Sequence, residues 1–98
     1  MFGKTDQVCV SYGKPETHTL SCPSSSSLQI VRAFYGRKSA TVCPARRMRL
    51  GCTNDVTQRA TNTCNGKKKC VLDIRESVLG DPCPGKSKYY EVSYNCEE

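Results

Sequence analysis

The chain has 98 residues, a formal net charge of +6 and 8 cysteines. That length suits one domain with a core too small to be comfortable without staples. It holds no apolar run long enough to span a membrane as a helix. The cysteines lack C-x-x-C spacing and His18 is the single histidine, which excludes a clustered zinc site. Four disulfides are the remaining reading, and they place the chain outside the cytosol, secreted or as the extracellular domain of a larger membrane protein. Each bridge contributes about 2–4 kcal/mol, and spacing alone leaves about 105 pairings open.

Met1-Phe2-Gly3-Lys4 runs straight into polar sequence without a signal peptide. Met1 therefore reads as an expression start, residues 1–7 as a disordered or artificial N-terminus, and residues 8–98 as one domain. Val8-Cys9-Val10 is expected as a first strand. Thr17 to Cys22 is expected as a second, with Gly13 and Pro15 shaping the connection. Pro23-Ser24-Ser25-Ser26-Ser27 is a short polar turn. Leu28 to Gly36 follows, rich in β-branched and aromatic residues and closed by glycine, and reads as a strand. Asn54 is placed to cap a helix. On that helix Val56, Ala60 and Cys64 recur every four residues and make one apolar stripe. Asn65-Gly66 ends it. Cys70 to Ile74 reads as a short strand, and Arg75 to Leu79 as a single helical turn stopped by Gly80. In the last strand Tyr90, Val92, Tyr94 and Cys96 alternate with Glu91, Ser93 and Asn95, the pattern of a half-buried antiparallel strand. The expected fold is β-rich α+β: a small antiparallel β-sandwich with one main helix, long structured loops and four disulfides.

Enzyme chemistry finds little support. His18 lies in an expected strand without a nucleophilic serine motif, and oxidised cysteines offer no thiolate. Asp73, Glu76 and Asp81 suggest a glycosidase pair only by being acids. No calcium loop of alternating acids occurs, and no cofactor or metal is expected. The basic runs Arg46-Arg47-Met48-Arg49 and Lys67-Lys68-Lys69 suit an acidic polysaccharide through counterion release, or are simply solvated. Neither is interleaved with an aromatic platform, and no nucleic-acid binding or membrane insertion is expected.

The segment from Asp81 to Tyr90 is the more informative one. Prolines and a glycine shape it, and it sets a carboxylate and an ammonium at the two ends of a turn. A sugar hydroxyl both donates and accepts, so Asp81 and Lys88 are suited to it, with the ring of Tyr35 covering an apolar face. Each has a structural alternative: Asp81 capping its loop, Lys88 lying over Tyr90, Tyr35 packing in the core.

Ala33-Phe34-Tyr35-Gly36-Arg37 resembles an A-x-Y-G-R motif, and Asp81-Pro82-Cys83 followed by Lys88-Tyr89 resembles D-P-C and K-Y motifs. Together they are similar to the sea-urchin-egg-lectin family of rhamnose- and galactose-binding domains, which also occurs in latrophilin ectodomains. The likeness runs from Val8 to Cys96. It implies a β-sandwich with the bridges Cys9–Cys43, Cys22–Cys96, Cys52–Cys83 and Cys64–Cys70. It also implies a metal-independent lectin pocket for a terminal monosaccharide or glycan. By position Tyr35, Arg47, Asp81, Gly85 and Lys88 match that pocket, with Arg46 as the fallback for Arg47. A side chain at position 85 would obstruct backbone approach to the ligand. Val10 departs from the family, whose sugar binders carry Glu there, and Phe34 stands where many members have Asn. Glu16, after the loop that follows, is a candidate substitute acid. Two rival readings follow: a protein-recognition domain of a cell-surface receptor or adhesion protein with a degenerate sugar pocket, and a heparin-type glycan binder.

Overall fold

The structure is a computed structural model that describes residues 3–10 and 14–98; Met1 and the expected turn at Gly13 lie outside the described residues. Six strands and two helices follow in the order β1 (Lys4–Val10), β2 (Glu16–Ser21), β3 (Ser27–Arg37), β4 (Cys52–Asp55), α1 (Thr57–Cys64), β5 (Lys69–Ile74), α2 (Glu76–Leu79) and β6 (Lys88–Glu97). One sheet has the order β1-β6-β3-β4, and the other pairs β2 with β5; all pairings are antiparallel. The β-rich α+β sandwich expected from alternation is therefore present.

Cross-strand partners share a face of the sheet. The inner face of the larger sheet carries Val10 with Lys88, Val8 with Tyr90, Tyr35 with Tyr90, and Ala33 with Val92. It packs against α1 and the smaller sheet, whose inner face carries Leu20, Cys70, Leu72 and Ile74. Leu20, Leu28, Ile74 and Val92 are fully buried, each contributing about 1.5–3 kcal/mol by leaving water. A register shift between Ile30 and Arg32 leaves Val31 outside the pairing, 58% exposed. This one-residue bulge resets the alternation, so that Leu28, Ile30, Ala33 and Tyr35 all face inward despite their uneven spacing.

Local details depart from expectation in three places. Residues 4–7, read above as part of an unstructured lead, belong to β1, where Lys4 pairs with Tyr94 and Gln7 with Glu91. Cys52–Asp55 forms β4, an unexpected strand held by pairing with β3. The helix α1 is not capped by Asn54. Asp55 accepts the Thr57 N–H at 2.9 Å, while Asn54 Nδ2 donates to the Leu79 carbonyl at 3.0 Å and docks α2. Asn54 is opposite Tyr35 in the ladder, which sends its side chain inward; the cap position falls to Val56, which has no capping side chain.

All four disulfides pair as the resemblance implies. Cys22–Cys96 and Cys64–Cys70 brace the end of the sandwich where β3 begins. Cys9–Cys43 and Cys52–Cys83 tie two long loops, residues 38–51 and 80–87, to the end where β3 finishes.

Candidate functional site

The doubly braced loop end builds a charged cluster from the inside out. Lys88 opens β6 and points along the inner face beside Val10. It is only 3% exposed, an environment that a lysine occupies only when its charge is matched. Its Nζ lies 3.0 Å from Asp81 Oδ1 and 3.4 Å from Glu76 Oε1, and donates to the carbonyls of Cys83 (3.1 Å) and Lys86 (2.8 Å). Asp81 Oδ1 also accepts the Cys83 N–H at 3.2 Å, so the loop-capping alternative holds alongside the ion pair. The carboxylates are not sealed in: their side chains keep 27% (Asp81) and 38% (Glu76) of their exposure. A buried ammonium thus fixes two acceptors that water, or a ligand, can still reach.

Tyr35 packs under this cluster at 1% exposure, so it is a core residue as its structural alternative held. Burial pushes its phenol up to about 12, and the negative charges of Glu76 and Asp81 add to the shift. Their influence puts Tyr35 in the electrostatic field of the same carboxylates.

Gly85 belongs to a turn closed by the Lys86 N–H on the Cys83 carbonyl at 3.0 Å. Pro84 and Gly85 take the central positions, with Gly85 at φ 75°, as a type II turn requires. A Cβ on Gly85 would meet nothing within 4 Å. Its glycine is therefore dictated by backbone angle, and the turn faces open space where an approaching molecule would meet bare backbone. Arg47 joins the site through its main chain: its carbonyl accepts the Ser87 N–H at 2.6 Å. Its side chain is exposed rather than packed into the cluster; Arg46 is exposed as well.

Two residues important to this site were not among its expected ligand contacts in sequence. Glu76 supplies the second carboxylate, and only its place in the one-turn helix before Gly80 hinted at a fixed position. Arg37 is fully buried and organises both loops. Its guanidinium donates to the carbonyls of Ser39 (2.7 Å), Val42 (2.5 Å), Cys43 (2.7 Å) and Ser87 (3.1 Å), and lies 5.1 Å from the Tyr89 ring centre. Its place in the Y-G-R motif was the available signal. A planar fork that donates in several directions is what a lysine lacks.

Other candidates resolve elsewhere. His18 Nε2 is 2.8 Å from Asp6 Oδ2, a bridge between the two sheets. Asp73 pairs with Arg75 at 2.8 Å, away from Lys88. Glu16 stands in register with Ile74, two residues before Glu76, on the inner face of β2. Val10 lies directly across from Lys88 and is 8% exposed. Phe34 packs on the outer face, edge-on to Tyr89 with ring centres 5.7 Å apart, and Lys38 covers it at 4.2 Å. The basic runs occupy opposite ends of β3. Lys67 accepts the Leu28 N–H, whereas Arg47 sits by Ser87 near Arg37. Nine residue steps of strand separate Leu28 from Arg37, about 30 Å, so the runs do not merge into one anionic-ligand surface. No helix is long and apolar enough to cross a membrane, and no cluster of metal-ligating side chains occurs, among the described residues.

Residues 20–96 match the D-galactoside/L-rhamnose binding SUEL lectin domain. A D-galactoside-specific lectin of Heliocidaris crassispina is 38% identical over 98 residues, covering 95% of this chain and 90% of that protein. The L-rhamnose-binding lectin ELEL-1 of Echinometra lucunter is 35% identical, covering 97% and 92%. Latrophilin-like protein 1 of Caenorhabditis elegans is 37% identical over 83% of this chain, which spans 9% of that protein.

Proposed function

The chain belongs to the D-galactoside/L-rhamnose binding SUEL lectin family, and on that premise we propose that it is an extracellular, metal-independent module binding the terminal residue of a rhamnose- or galactose-like glycan at the Lys88 cluster. The single observation that carries this reading is the buried Lys88 ammonium holding Asp81 and Glu76, whose carboxylates stay accessible beside the open Gly85 turn. A sugar hydroxyl donates to Asp81 or Glu76, and its lone pairs accept from the turn's main chain or from Arg47. Tyr35 supports the floor and keeps its phenol protonated at neutral pH. The relatives are named as lectins rather than enzymes, and binding without turnover is the activity proposed.

Calorimetric titration of the oxidised protein with L-rhamnose and D-galactose tests this. Saturable binding to one of them, lost in Asp81→Ala, is expected; no heat at millimolar sugar would refute it.

A second reading draws on Val10. An apolar side chain stands across from Lys88 where sugar-binding members carry an acid, and leaving a hydroxyl without its partner costs roughly 1–3 kcal/mol. A weakened pocket would suit a protein-recognition domain at a cell surface. Capture of a surface partner that survives enzymatic deglycosylation favours this alternative; loss of capture favours the glycan. A heparin-type mode would have to use one basic run alone, and would show as a steep fall in retention with salt.

A further inference from the structure

A second concave surface borders α2, the helix that also supplies Glu76 to the Lys88 cluster. It is a cleft of about 660 Å³ between α1 and α2, within the ~300–1,000 Å³ of small-molecule sites. The stripe Val56, Ala60 and Cys64 turns α1 into the core, which leaves Gln58, Arg59 and Asn62 along the cleft. Gln58 Nε2 donates to Asn62 Oδ1 at 2.9 Å. That bond orients both amides, leaving Gln58 Oε1 as an acceptor and Asn62 Nδ2 as a donor. Asn54 Nδ2 is committed to the Leu79 carbonyl, so its Oδ1 remains as an acceptor on the opposite wall. Arg59 brings a donor fork, and Asp55, whose Oδ1 accepts the Thr57 N–H, lines the same cleft. Val78 contributes apolar floor, half-buried against the core.

Side-chain amides that offer donors and acceptors side by side over a small apolar floor suit a neutral polyhydroxylated ligand. They suit a protein partner less well, because the cleft has no aromatic side chain of the kind that anchors protein interfaces. The cleft also shares an element with the cluster already described. Glu76 begins α2 and reaches Lys88, while Val78 and Leu79 of the same four-residue helix wall the cleft. Four helical residues span about 6 Å along the axis, so the same short helix adjoins both the cleft and the cluster.

We infer that the α1–α2 cleft is a subsite for the inner residues of a neutral oligosaccharide whose terminal residue lies at the Lys88 cluster. This rests on the carbohydrate reading above and extends it: the domain selects an oligosaccharide rather than a single sugar. The test is titration of the oxidised protein with L-rhamnose, D-galactose and a panel of rhamnose- and galactose-terminated di- and trisaccharides. The same titrations are run on the double variant Gln58→Ala/Asn62→Ala, whose changes are confined to the surface of α1. At least one oligosaccharide should bind tenfold or more tightly than its terminal monosaccharide. The double variant should abolish that gain and leave monosaccharide affinity within twofold. Monosaccharide binding with no oligosaccharide gain, or a gain that survives the double variant, overturns this inference and leaves the Lys88 site standing. Absence of binding by every sugar overturns both. A double variant that loses only capture of a deglycosylated surface protein assigns the cleft to a protein and overturns the inference as well.

Discussion

Val10 sets how firmly the Lys88 cluster can hold a sugar. It is buried, in register with Lys88, and offers a hydroxyl nothing. Replacing it with Glu adds an acceptor across from Lys88. Restoring a partner to a desolvated hydroxyl contributes roughly 1–3 kcal/mol, so Val10→Glu should raise monosaccharide affinity about tenfold or more by calorimetry. The same change puts a third carboxylate near one ammonium and removes apolar packing, so the denaturation midpoint should fall. Unchanged affinity would show that position 10 does not face the ligand. Lys88 itself shows where residue-level reading stops. A lysine in sequence reads as solvated, and no local pattern says that Glu76 and Asp81, twelve and seven positions earlier, will enclose it. Asp81 and Tyr35 were legible as candidates through their motifs; their joint field around one ammonium needed the fold.

At the scale of elements, the junction of β3 and β4 controls the site's geometry. Gly36 has φ 143°, and a Cβ there would collide with the carbonyl oxygen of Cys52 and lie 2.7 Å from Thr53 Cα. Both are backbone atoms of the paired strand, so relief requires β4 to move, and with it Cys52 and its bridge to the Asp81 loop. Gly36→Ala should therefore destabilise the protein by more than about 3 kcal/mol in a denaturant titration. A loss below about 1 kcal/mol would show that β4 accommodates it. The strand β4 itself escaped the sequence because Cys-Thr-Asn-Asp has little of the β-branched and aromatic character that marks strands. Pairing with β3 makes it one. Residues 4–7 escaped for a related reason: a polar edge strand, Lys-Thr-Asp-Gln, resembles a loop until its partner is known. By contrast α1 and β6 were legible, since each carries a clean period of buried residues.

Across the whole molecule, paired disulfides brace each end of the sandwich and buried phenols fill its middle. Burial pushes Tyr35 and Tyr90 up to about 12. Between pH ~10 and ~12 the unfolded chain loses these protons while the folded protein keeps them, so the folded state binds more protons and stability falls as pH rises. Below pH ~10 the contribution is fully present. Absorbance titration of the five tyrosines should show at least two ionising late, near pH 12; five ionising together near pH 10 would contradict the packing. The sandwich architecture was readable from alternation, and the disulfide pairing only through family likeness, because spacing alone leaves ~105 pairings. The central claim is that the Lys88 cluster holds a terminal sugar. Backbone amide chemical shifts of the oxidised protein, followed while L-rhamnose or D-galactose is added, test it most directly. Saturable shifts with one of the sugars, centred on Asp81, Gly85, Ser87 and Lys88, are the predicted result. No shifts with either sugar at millimolar concentration, or shifts centred on Lys67, Lys68 and Lys69, would contradict it.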